Sequence, residues 1–373
     1  MKVALVHDYL REYGGAERVL EVLMEMFPDA PVFTSYHDPE KFPFTYQNTT
    51  INSSFIQKFP VMWQRPNFIE NLKFFWRVNR LVNFYIYLLP FAFRLFDLRG
   101  FDLIISSSSY CASGVVTSER QTHICYCHTP PRFLWQPMNY QRSFLARCIE
   151  GILRRRDYVS AGKVDLFIAN SQTVQNRIKM FYDRDSTVVY PPVDLLDRVA
   201  QISPEASLRK EYYLVVSRLQ DHKHVQTIVE AFTRLGFPLV IAGTGPEWQN
   251  LRAISGRNIT FVGFASDEQL SGYYSACKAL IIAAEDEDFG MTAVEAQFFG
   301  KGVIAPRQGG FVETIIEGET GVFFDTIDVE SLCKAIEEFE DLSLNPATIR
   351  QNAARFSKQV FKERLAEIIR ELS

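Results

Sequence analysis

Residues 280–295 read Leu-Ile-Ile-Ala-Ala-Glu-Asp-Glu-Asp-Phe-Gly-Met-Thr-Ala-Val-Glu. The apolar start of this stretch predicts a buried strand, and the apolar pattern after Gly290 predicts a helix. Glu287 therefore falls in the loop after a strand, and Glu295 falls on the first turns of the helix. Both carboxylates are expected at the carboxyl edge of a sheet, where two fixed acceptors suit a polyhydroxylated ligand whose phosphates bind nearby.

Strands and helices alternate around this stretch throughout the second half of the chain. Strands are predicted at 212–216, 238–242, 259–262, 280–283, 302–305 and 321–324, and helices at 225–235, 268–276, 292–299 and 329–339. Such alternation is typical of α/β proteins, in which helices cover both faces of a doubly wound parallel sheet.

The first half follows the same pattern. Strands are predicted at 3–6, 102–106, 121–127, 166–170 and 187–190, with a helix at 16–27. Two prolines in Tyr190-Pro-Pro-Val-Asp194 stop the last of these strands and mark a hinge. We therefore expect two Rossmann-like domains, at 1–194 and 195–355, followed by an amphipathic helix at 356–373.

Composition narrows the class of protein. The chain has 373 residues, of which 47% are hydrophobic, and its net charge of −4 gives it no basic footprint for nucleic acid. Met1-Lys2 leads directly into a strand, so no secretory leader is expected and a reducing, cytoplasmic setting is predicted for the six cysteines. Cys125 and Cys127 are one residue apart, which does not match zinc-ligand spacing and favours a buried strand end over a metal site.

Residues 55–97 combine aromatic and basic side chains. This segment contains thirteen aromatic residues, and residues 58–99 contain seven basic residues against two acidic ones, a balance of 7 − 2 = +5. Its apolar centre is too short to span a bilayer, but the composition suits the headgroup level of an anionic membrane. The residues expected to contact membrane or acceptor are Trp76, Arg77, Arg80 and Arg94. The alternative, a pair of core-packing helices with solvated arginines, stays open.

Two cations follow the first strand of the second half. Arg218 and Lys223 are expected at the carboxyl end of that strand, where an open α/β sheet binds its ligand. A planar fork and a point charge together suit a diphosphate, and they could neutralise a leaving group without metal. The alternative is a solvated turn, because the neighbouring residues 221–224 are polar.

Three glycine loops also follow strands. Gly14-Gly15 would let an anionic ligand approach the backbone at a helix N-terminus, or would simply form a tight turn. Gly243-Thr-Gly245 does not match a dinucleotide fingerprint, because Trp248 stands where the third glycine is needed. Gly309-Gly310 is a further turn that exposes backbone to a ligand.

A histidine directly follows one of the predicted strands of the first half. His128 follows the predicted strand 121–127 and would lie at the carboxyl edge of the first sheet, in His-Thr-Pro-Pro-Arg. A lone histidine is more often structural, but its position favours a functional role. His7 occupies the equivalent end of the first strand.

Together these residues resemble the large family of retaining glycosyltransferases with the GT-B fold, whose two Rossmann-like domains face each other across a cleft. The match rests on the pair Glu287 and Glu295, on Arg218 with Lys223, and on the glycine loops described above, in order along nearly the whole chain.

The resemblance implies roles for individual residues. Arg218 and Lys223 would hold the donor diphosphate, Glu295 the ribose hydroxyls and Glu287 the donor sugar, with His128 near the reacting carbon. Backbone atoms would bind phosphate and sugar at Gly14, Gly15, Gly243, Phe289, Gly290, Met291 and Thr292. The family also implies metal-independent transfer with retained stereochemistry. Asp288 and Thr292 are the positions where this chain departs from the family's usual glycine and proline.

The run 128–135 is most similar to mannosyltransferases that build bacterial surface polysaccharide on a polyprenyl-diphosphate carrier. It implies GDP-mannose as donor, a lipid-linked saccharide as acceptor, a peripheral position on the inner face of the cytoplasmic membrane, and a final helix that packs back on the first domain. The alternatives are a UDP-sugar donor and a nucleotide-sugar epimerase of the same fold. A binding module without activity is disfavoured by the intact glutamate pair, and the oligomeric state is not predicted.

Overall fold

A computed structural model describes residues 1–11, 13–40, 42, 49–58, 88–136, 144–193 and 211–372 of the chain. These residues form two compact units, Met1–Val189 and Tyr190–Ser373. The predicted membrane residues Trp76, Arg77 and Arg80 lie outside the described residues, as do Asp194 and the predicted domain boundary at 194–195.

The first unit is built on a parallel sheet. Its described strands are β1 Val3–His7, β2 Val32–Thr34, β3 Ile51–Ser53, β4 Leu103–Ser108, β5 Thr122–Cys127, β6 Leu166–Ala169 and β7 Ser186–Val188. They are arranged in the order β3-β2-β1-β4-β5-β6-β7. Strand β4 therefore lies beside β1, although β2 and β3 come between them in the chain.

Helices connect these strands. They are α1 Gly15–Met26, α2 Leu89–Arg94, α3 Arg132–Trp135, α4 Phe144–Ala161 and α5 Gln172–Tyr182, with short 3₁₀ turns at Phe55–Lys58 and Ala112–Gly114. The α1 helix buries an apolar stripe that includes Val19, Leu20 and Leu23, as its predicted periodicity requires.

The second unit repeats this topology. Its strands are β8 Tyr213–Val216, β9 Leu239–Ala242, β10 Ile259–Gly263, β11 Ala279–Ile281, β12 Gly302–Pro306 and β13 Gly321–Phe324. They form a parallel sheet in the order β10-β9-β8-β11-β12-β13. The prediction of two doubly wound Rossmann-like sheets is confirmed.

The helices of the second unit cover both faces of its sheet. They are α6 Val225–Leu235, α7 Trp248–Ile254, α8 Asp267–Ala276, α9 Met291–Phe298, α10 Phe311–Thr314, α11 Val329–Asp341, α12 Pro346–Ala354 and α13 Lys358–Glu371, with a 3₁₀ turn at Asp221–Lys223. Successive residues of β8 point to opposite faces. Val215 packs in the cluster that includes α6 and α11, whereas Leu214 packs in the cluster that includes α8 and α9.

Some elements escape the sequence pattern. The predicted helix 356–373 begins only at Lys358, because the Ser357 hydroxyl caps it by accepting the Val360 N–H. The separate helix α12 before it buries Ile349, Asn352 and Ala353, too few large apolar residues to predict it. The long helix α4 exposes Ile152 and Val159, which blurs its periodicity. The packing of the final helix against the first domain stays a prediction.

Candidate functional site

The candidate donor site lies where the order of the second sheet reverses. Strands β8 and β11 are neighbours there, although β9 and β10 come between them in the chain. The loops that leave their carboxyl ends lead to α6 and α9, which pack on opposite faces of the sheet. Open α/β sheets bind ligands at such a position. One loop carries Arg218 and Lys223, and the other carries Glu287, as predicted from the sequence.

An ion pair joins these two loops. Lys223 Nζ lies 2.7 Å from Glu287 Oε2, and the two side chains are 21% and 26% exposed. The Glu285 N–H also donates to the His222 carbonyl at 3.2 Å, and His224 Nε2 lies 3.3 Å from Glu285 Oε2. The loops are therefore tied by backbone and side-chain contacts, and both site residues keep partial access to solvent.

Arg218 is exposed and lies on the first of these loops. The next residue, Leu219, is fully buried and anchors the loop in the core. Its N–H donates to the Thr244 carbonyl at 2.9 Å, which joins the loop to the glycine turn after β9. Arg218 is thus an exposed residue on a loop whose backbone is held in place.

The glycines after β9 permit this close approach between loops. A Cβ added to Gly243 would lie 1.8 Å from the Ser217 carbonyl oxygen, and one added to Gly245 would lie 2.3 Å from that of Leu219. These distances are far below van der Waals contact, so no larger residue fits either position. Both glycines support the Arg218 loop, and the role of Gly243 in binding donor stays a prediction.

Gly309 and Gly310 support the Glu287 loop in the same way. The Gly310 N–H donates to the Glu287 carbonyl at 2.9 Å, and a Cβ on Gly310 would lie 2.3 Å from the Phe289 Cα. The sequence predicted that this turn exposes backbone to a ligand, whereas the structure packs it against the loop that carries Glu287.

The segment 289–292 forms the start of α9. Phe289 is 2% exposed, and its ring packs against Tyr190 and Phe356. Gly290 adopts φ +86° as the residue before the helix, a left-handed conformation that favours glycine. Met291 and Thr292, in the first turn, are half-buried. Since the side chain of Phe289 belongs to the core, only its backbone could contact a donor.

Glu295 is nearly buried on α9, with 4% of its surface exposed. Its Oε2 accepts a hydrogen bond from the Tyr274 hydroxyl at 2.8 Å. Tyr274 comes from α8, and sequence reasoning missed it because it falls on an apolar helix face that reads as core. A buried carboxylate needs such a donor, which was the signal that could have directed attention to a nearby hydroxyl.

In the first unit, His128 joins a chain of polar contacts at the carboxyl edge of the sheet. His128 Nε2 lies 2.8 Å from Ser107 Oγ, which lies 3.1 Å from His7 Nδ1. His7 Nε2 lies 3.6 Å from Glu17 Oε1, and Glu17 Oε2 accepts the Gly14 N–H at 3.0 Å. The predicted site residues Gly14, His7 and His128 are therefore connected through Ser107 and Glu17, two residues that the sequence did not single out as ligands.

Burial determines the charge of His128. The side chain is almost inaccessible, and desolvation together with the neighbouring His7 lowers the pKa of His128 to about 3. The imidazole is therefore neutral near pH 7. It can accept or donate a hydrogen bond, but it does not supply a positive charge.

Within the described ranges, no group of three or more His, Cys, Asp and Glu side chains is placed to hold a metal ion. Cys125 and Cys127 are buried on β5, which confirms the interpretation of that motif as a strand. None of the helices in the described part of the chain has the length and apolar character needed to cross a membrane.

Family models match both halves of the chain. Residues 13–196 match Glycosyltransferase Family 4, and residues 200–356 match Glycosyl transferases group 1. The two matches follow one another along the chain and place it in the group 1 family of GT-B glycosyltransferases.

Three curated relatives share between 24% and 32% sequence identity with the chain. The chain is 30% identical over 220 residues to a D-inositol 3-phosphate glycosyltransferase of Mycobacterium sp. (strain JLS), which covers 52% of this chain and 49% of that protein. The chain thus spans about half the length of this relative. It is 24% identical over 333 residues to the human alpha-1,3/1,6-mannosyltransferase ALG2, covering 79% of this chain and 77% of the relative. It is 32% identical to a GDP-mannose-dependent alpha-mannosyltransferase of Corynebacterium glutamicum over 124 residues, 33% of this chain and 30% of the relative.

Solved structures share the fold. Anabaena Alr3699/HepE in complex with UDP and glucose matches with a TM-score of 0.69 at 20% identity, over 99% of each chain. Sucrose-phosphate synthase from Thermosynechococcus elongatus matches with a TM-score of 0.72 at 18% identity, over 100% of this chain and 99% of that one.

Proposed function

We propose that this protein is a retaining glycosyltransferase that moves mannose from GDP-mannose to a polyprenyl-diphosphate-linked saccharide in surface polysaccharide synthesis. The observation that carries the proposal is the arrangement of Lys223, Glu287 and Glu295 at the edge of the second sheet, in a chain of this family. The identity of the sugar is supported by the names of two relatives, both mannosyltransferases, one of them GDP-mannose-dependent.

The two cations would bind the donor diphosphate. Departure of GDP develops negative charge on the diphosphate, and positive charge held at that point stabilises the transition state more than the ground state. Exposed Arg218 offers a planar fork. Lys223 offers an ammonium group that Glu287 already holds in place at 2.7 Å. In this proposal the two cations would stabilise the leaving group without a bound metal.

The carboxylates would bind hydroxyl groups of the donor. Glu287 lies beside Lys223, so the sugar next to the diphosphate is the part of the donor within its reach. Glu295, one helical turn inside α9, would accept hydrogen bonds from the ribose hydroxyls. Neither residue acts as the acid or base of a hydrolase in this proposal, since both bind and orient the donor.

Neutral His128 would contact a hydroxyl of the donor sugar near the reacting carbon. Its ring orientation is constrained by Ser107, which in turn contacts His7. A neutral imidazole suits hydrogen bonding to an uncharged sugar, because it pays no desolvation cost for a charge. We propose that an acceptor hydroxyl then attacks the anomeric carbon from the same face from which GDP departs, so that the configuration is retained. The bond from that carbon to the β-phosphate oxygen breaks as the new bond forms, and the acceptor proton passes to the departing phosphate.

The test of this function is a donor panel with product analysis. The purified chain is incubated with GDP-mannose and a polyprenyl-diphosphate-linked saccharide, and GDP release and glycosylated lipid are measured. UDP-glucose and UDP-galactose are run alongside, because one structural neighbour was solved with UDP and glucose and another is a lipopolysaccharide galactosyltransferase. Turnover with a UDP-sugar alone would replace the donor, and a modified nucleotide sugar formed without acceptor would indicate an epimerase. No turnover under any of these conditions would overturn the enzyme proposal.

Membrane association would bring the chain to its lipid-linked acceptor on the inner face of the cytoplasmic membrane. In the described end of the aromatic segment, Phe91 and Leu95 are 44% and 72% exposed, and Arg94 is exposed between them. The Arg156 guanidinium lies 4.3 Å from the Phe91 ring centroid and connects α2 to α4.

Helix α4 extends the same kind of surface. Ile152 and Tyr158 are 61% and 48% exposed, and Arg155 is exposed between them. Exposed apolar and arginine side chains on adjoining helices suit the headgroup region of an anionic leaflet. These contacts support peripheral binding, while Trp76, Arg77 and Arg80 remain predicted members of this surface.

A further inference from the structure

The orientation of Glu295 depends on a second residue. Its carboxylate is nearly buried, and Oε2 accepts the Tyr274 hydroxyl hydrogen bond at 2.8 Å. The terminal torsion of a glutamate is broad, so a carboxylate with no fixed donor samples several orientations. A hydroxyl that donates to one of the two oxygens restricts that torsion. Hydrogen bonds to a carboxylate are stronger than those between neutral groups.

Tyr274 is itself held rigidly. The residue is fully buried, and its ring stacks on Phe299 with centroids 5.7 Å apart and an interplanar angle of 14°. It lies on α8, whose first turn is fixed by a capping box between Ser266 and Gln269. The hydroxyl therefore comes from a helix other than the one that carries Glu295, and its position is fixed by packing.

We propose that Tyr274 is a positioning residue that orients Glu295 to accept the ribose hydroxyls of the donor nucleotide. This inference rests on the proposed function, in which Glu295 binds ribose. It predicts that Tyr274 affects only that part of the affinity that depends on the ribose hydroxyls. Binding of the diphosphate by Arg218 and Lys223 would not need it.

The chain offers a matched control for the loss of a buried tyrosine hydroxyl. Tyr212 is 1% exposed, and its hydroxyl donates to the Tyr273 carbonyl at 2.9 Å. Tyr274→Phe removes the hydrogen bond that a tyrosine of α8 donates to Glu295, and Tyr212→Phe removes one that a tyrosine donates to the backbone of α8. Both tyrosines pack in the same apolar cluster. Only the first of these bonds reaches Glu295.

The experiment measures the affinity of the full chain for GDP and for 2′,3′-dideoxy-GDP by titration calorimetry, with UDP and its dideoxy analogue in parallel. We expect wild type to prefer GDP over the dideoxy analogue. Tyr274→Phe should weaken GDP binding about tenfold and leave the dideoxy analogue unchanged, so that the preference collapses. Tyr212→Phe should keep the wild-type preference, and Glu295→Gln should lose it as Tyr274→Phe does.

Each outcome has a defined meaning. If wild type bound neither GDP nor UDP, the proposed function would be overturned and this inference with it. Equal binding of GDP and its dideoxy analogue by wild type would overturn the inference alone, because a diphosphate site would remain. Tyr274 would be only a structural residue if Tyr274→Phe kept the preference of wild type for GDP over the dideoxy analogue. The same conclusion would follow if Tyr212→Phe lost that preference as well.

Discussion

At the scale of single residues, Lys223 and Glu287 share one contact that serves two loops. The ammonium and the carboxylate lie 2.7 Å apart at the carboxyl edge of the second sheet. Because each side chain is about a quarter exposed, solvent screens their attraction and the pair contributes little to stability. Its value in our proposal is positional, since it holds a cation where a diphosphate would bind.

Replacing Lys223 should therefore impair turnover far more than folding. We expect Lys223→Ala to lower kcat/KM for GDP-mannose about 100-fold, because the charge that stabilises the leaving group is lost, with little change in the melting temperature. Lys278→Ala is the control, since Lys278 forms a similar ion pair with Glu340 at 2.5 Å in the same unit. Steady-state kinetics and thermal melting measure the two effects. Equal kinetic losses in both variants would contradict the assignment.

His128 makes a prediction about pH. Its folded pKa of about 3 lies below the ordinary value of 6.5. Between these values the unfolded chain binds a proton that the folded chain does not, so the contribution of His128 to stability is fully present above pH 6.5 and decreases as the pH falls below it.

Urea unfolding of wild type and His128→Gln at two pH values measures this contribution. Between about pH 7.5 and pH 5.5, wild type should lose about 1 kcal/mol more of its free energy of unfolding than the variant does. The buried His123 also has a lowered pKa, of about 4, and it contributes equally to both proteins. Parallel losses in the two proteins would show that His128 takes up its proton over the same pH range in the folded chain as in the unfolded chain.

At the scale of elements, the glycine turns act as spacers between loops. Gly310 lets its turn approach the backbone of Phe289, and Gly245 lets another turn approach Leu219. The sequence predicted loops at these places, but the partner of each glycine is more than twenty residues away along the chain. Local pattern therefore identified the turns and not what they touch.

Gly310→Ala should disturb the loop that carries Glu287. The added methyl group would lie 2.3 Å from the Phe289 Cα, so we expect a loss of about 1–3 kcal/mol in the free energy of unfolding, together with lower turnover. Gly151→Ala is the control, because nothing lies within 4 Å of its added methyl group on α4. Alanine is also the better helix former, so this variant should be as stable as wild type or more stable. Chemical unfolding measures both variants, and an unchanged Gly310→Ala would mean that the turn can move without cost.

The surface on α2 and α4 makes a prediction about membranes. Reversing the charge of two exposed arginines, as Arg94→Glu with Arg155→Glu, should weaken binding to anionic vesicles at least about tenfold, because each basic residue near the surface contributes about 1 kcal/mol. The charge-matched control is Arg120→Glu with Arg257→Glu, two exposed residues in turns outside α2 and α4. Sedimentation with vesicles that contain phosphatidylglycerol measures the partition. Equal loss in both double variants would show that net charge, not this surface, controls binding.

At the scale of the whole molecule, two sheets of the same strand order divide the proposed work. The second unit carries Arg218, Lys223 and the two glutamates, whereas the first carries His128 and the exposed surface on α2 and α4. In our proposal this division would separate recognition of the nucleotide, by the second unit, from contact of His128 with the transferred sugar.

The division can be tested by comparing binding with turnover. We expect Glu295→Gln to weaken GDP binding about tenfold, because a neutral amide is a poorer acceptor for ribose hydroxyls. His128→Gln should bind GDP with an affinity within about twofold of wild type, because GDP lacks the transferred mannose that His128 would contact. The same variant should lose most of its turnover of GDP-mannose. Calorimetry with GDP and kinetics with GDP-mannose measure the two effects. GDP binding that weakens equally in both variants would argue against the division.

Much of this organisation was predictable from sequence, for physical reasons. Buried parallel strands must be apolar on both faces, and they alternate with helices of period 3.6, so β8 to β13 and most of their helices could be located without a structure. Strand ends then placed Arg218, Lys223, Glu287 and His128 at the carboxyl edges, because every strand in a parallel sheet points the same way. Short strands such as β2 and the partly exposed helix α4 carry no such periodicity and were missed.

The tertiary structure alone decided which side chains meet. The hydrogen bond between Tyr274 and Glu295, the ion pair between Lys223 and Glu287, and the contacts of Ser107 with His7 and His128 all join residues on different elements. Sequence determined the fold and the edge on which the chemistry-bearing residues lie, since both follow from local periodicity and strand direction. Partners and protonation states depend on packing and burial between distant segments, and no local pattern encodes them.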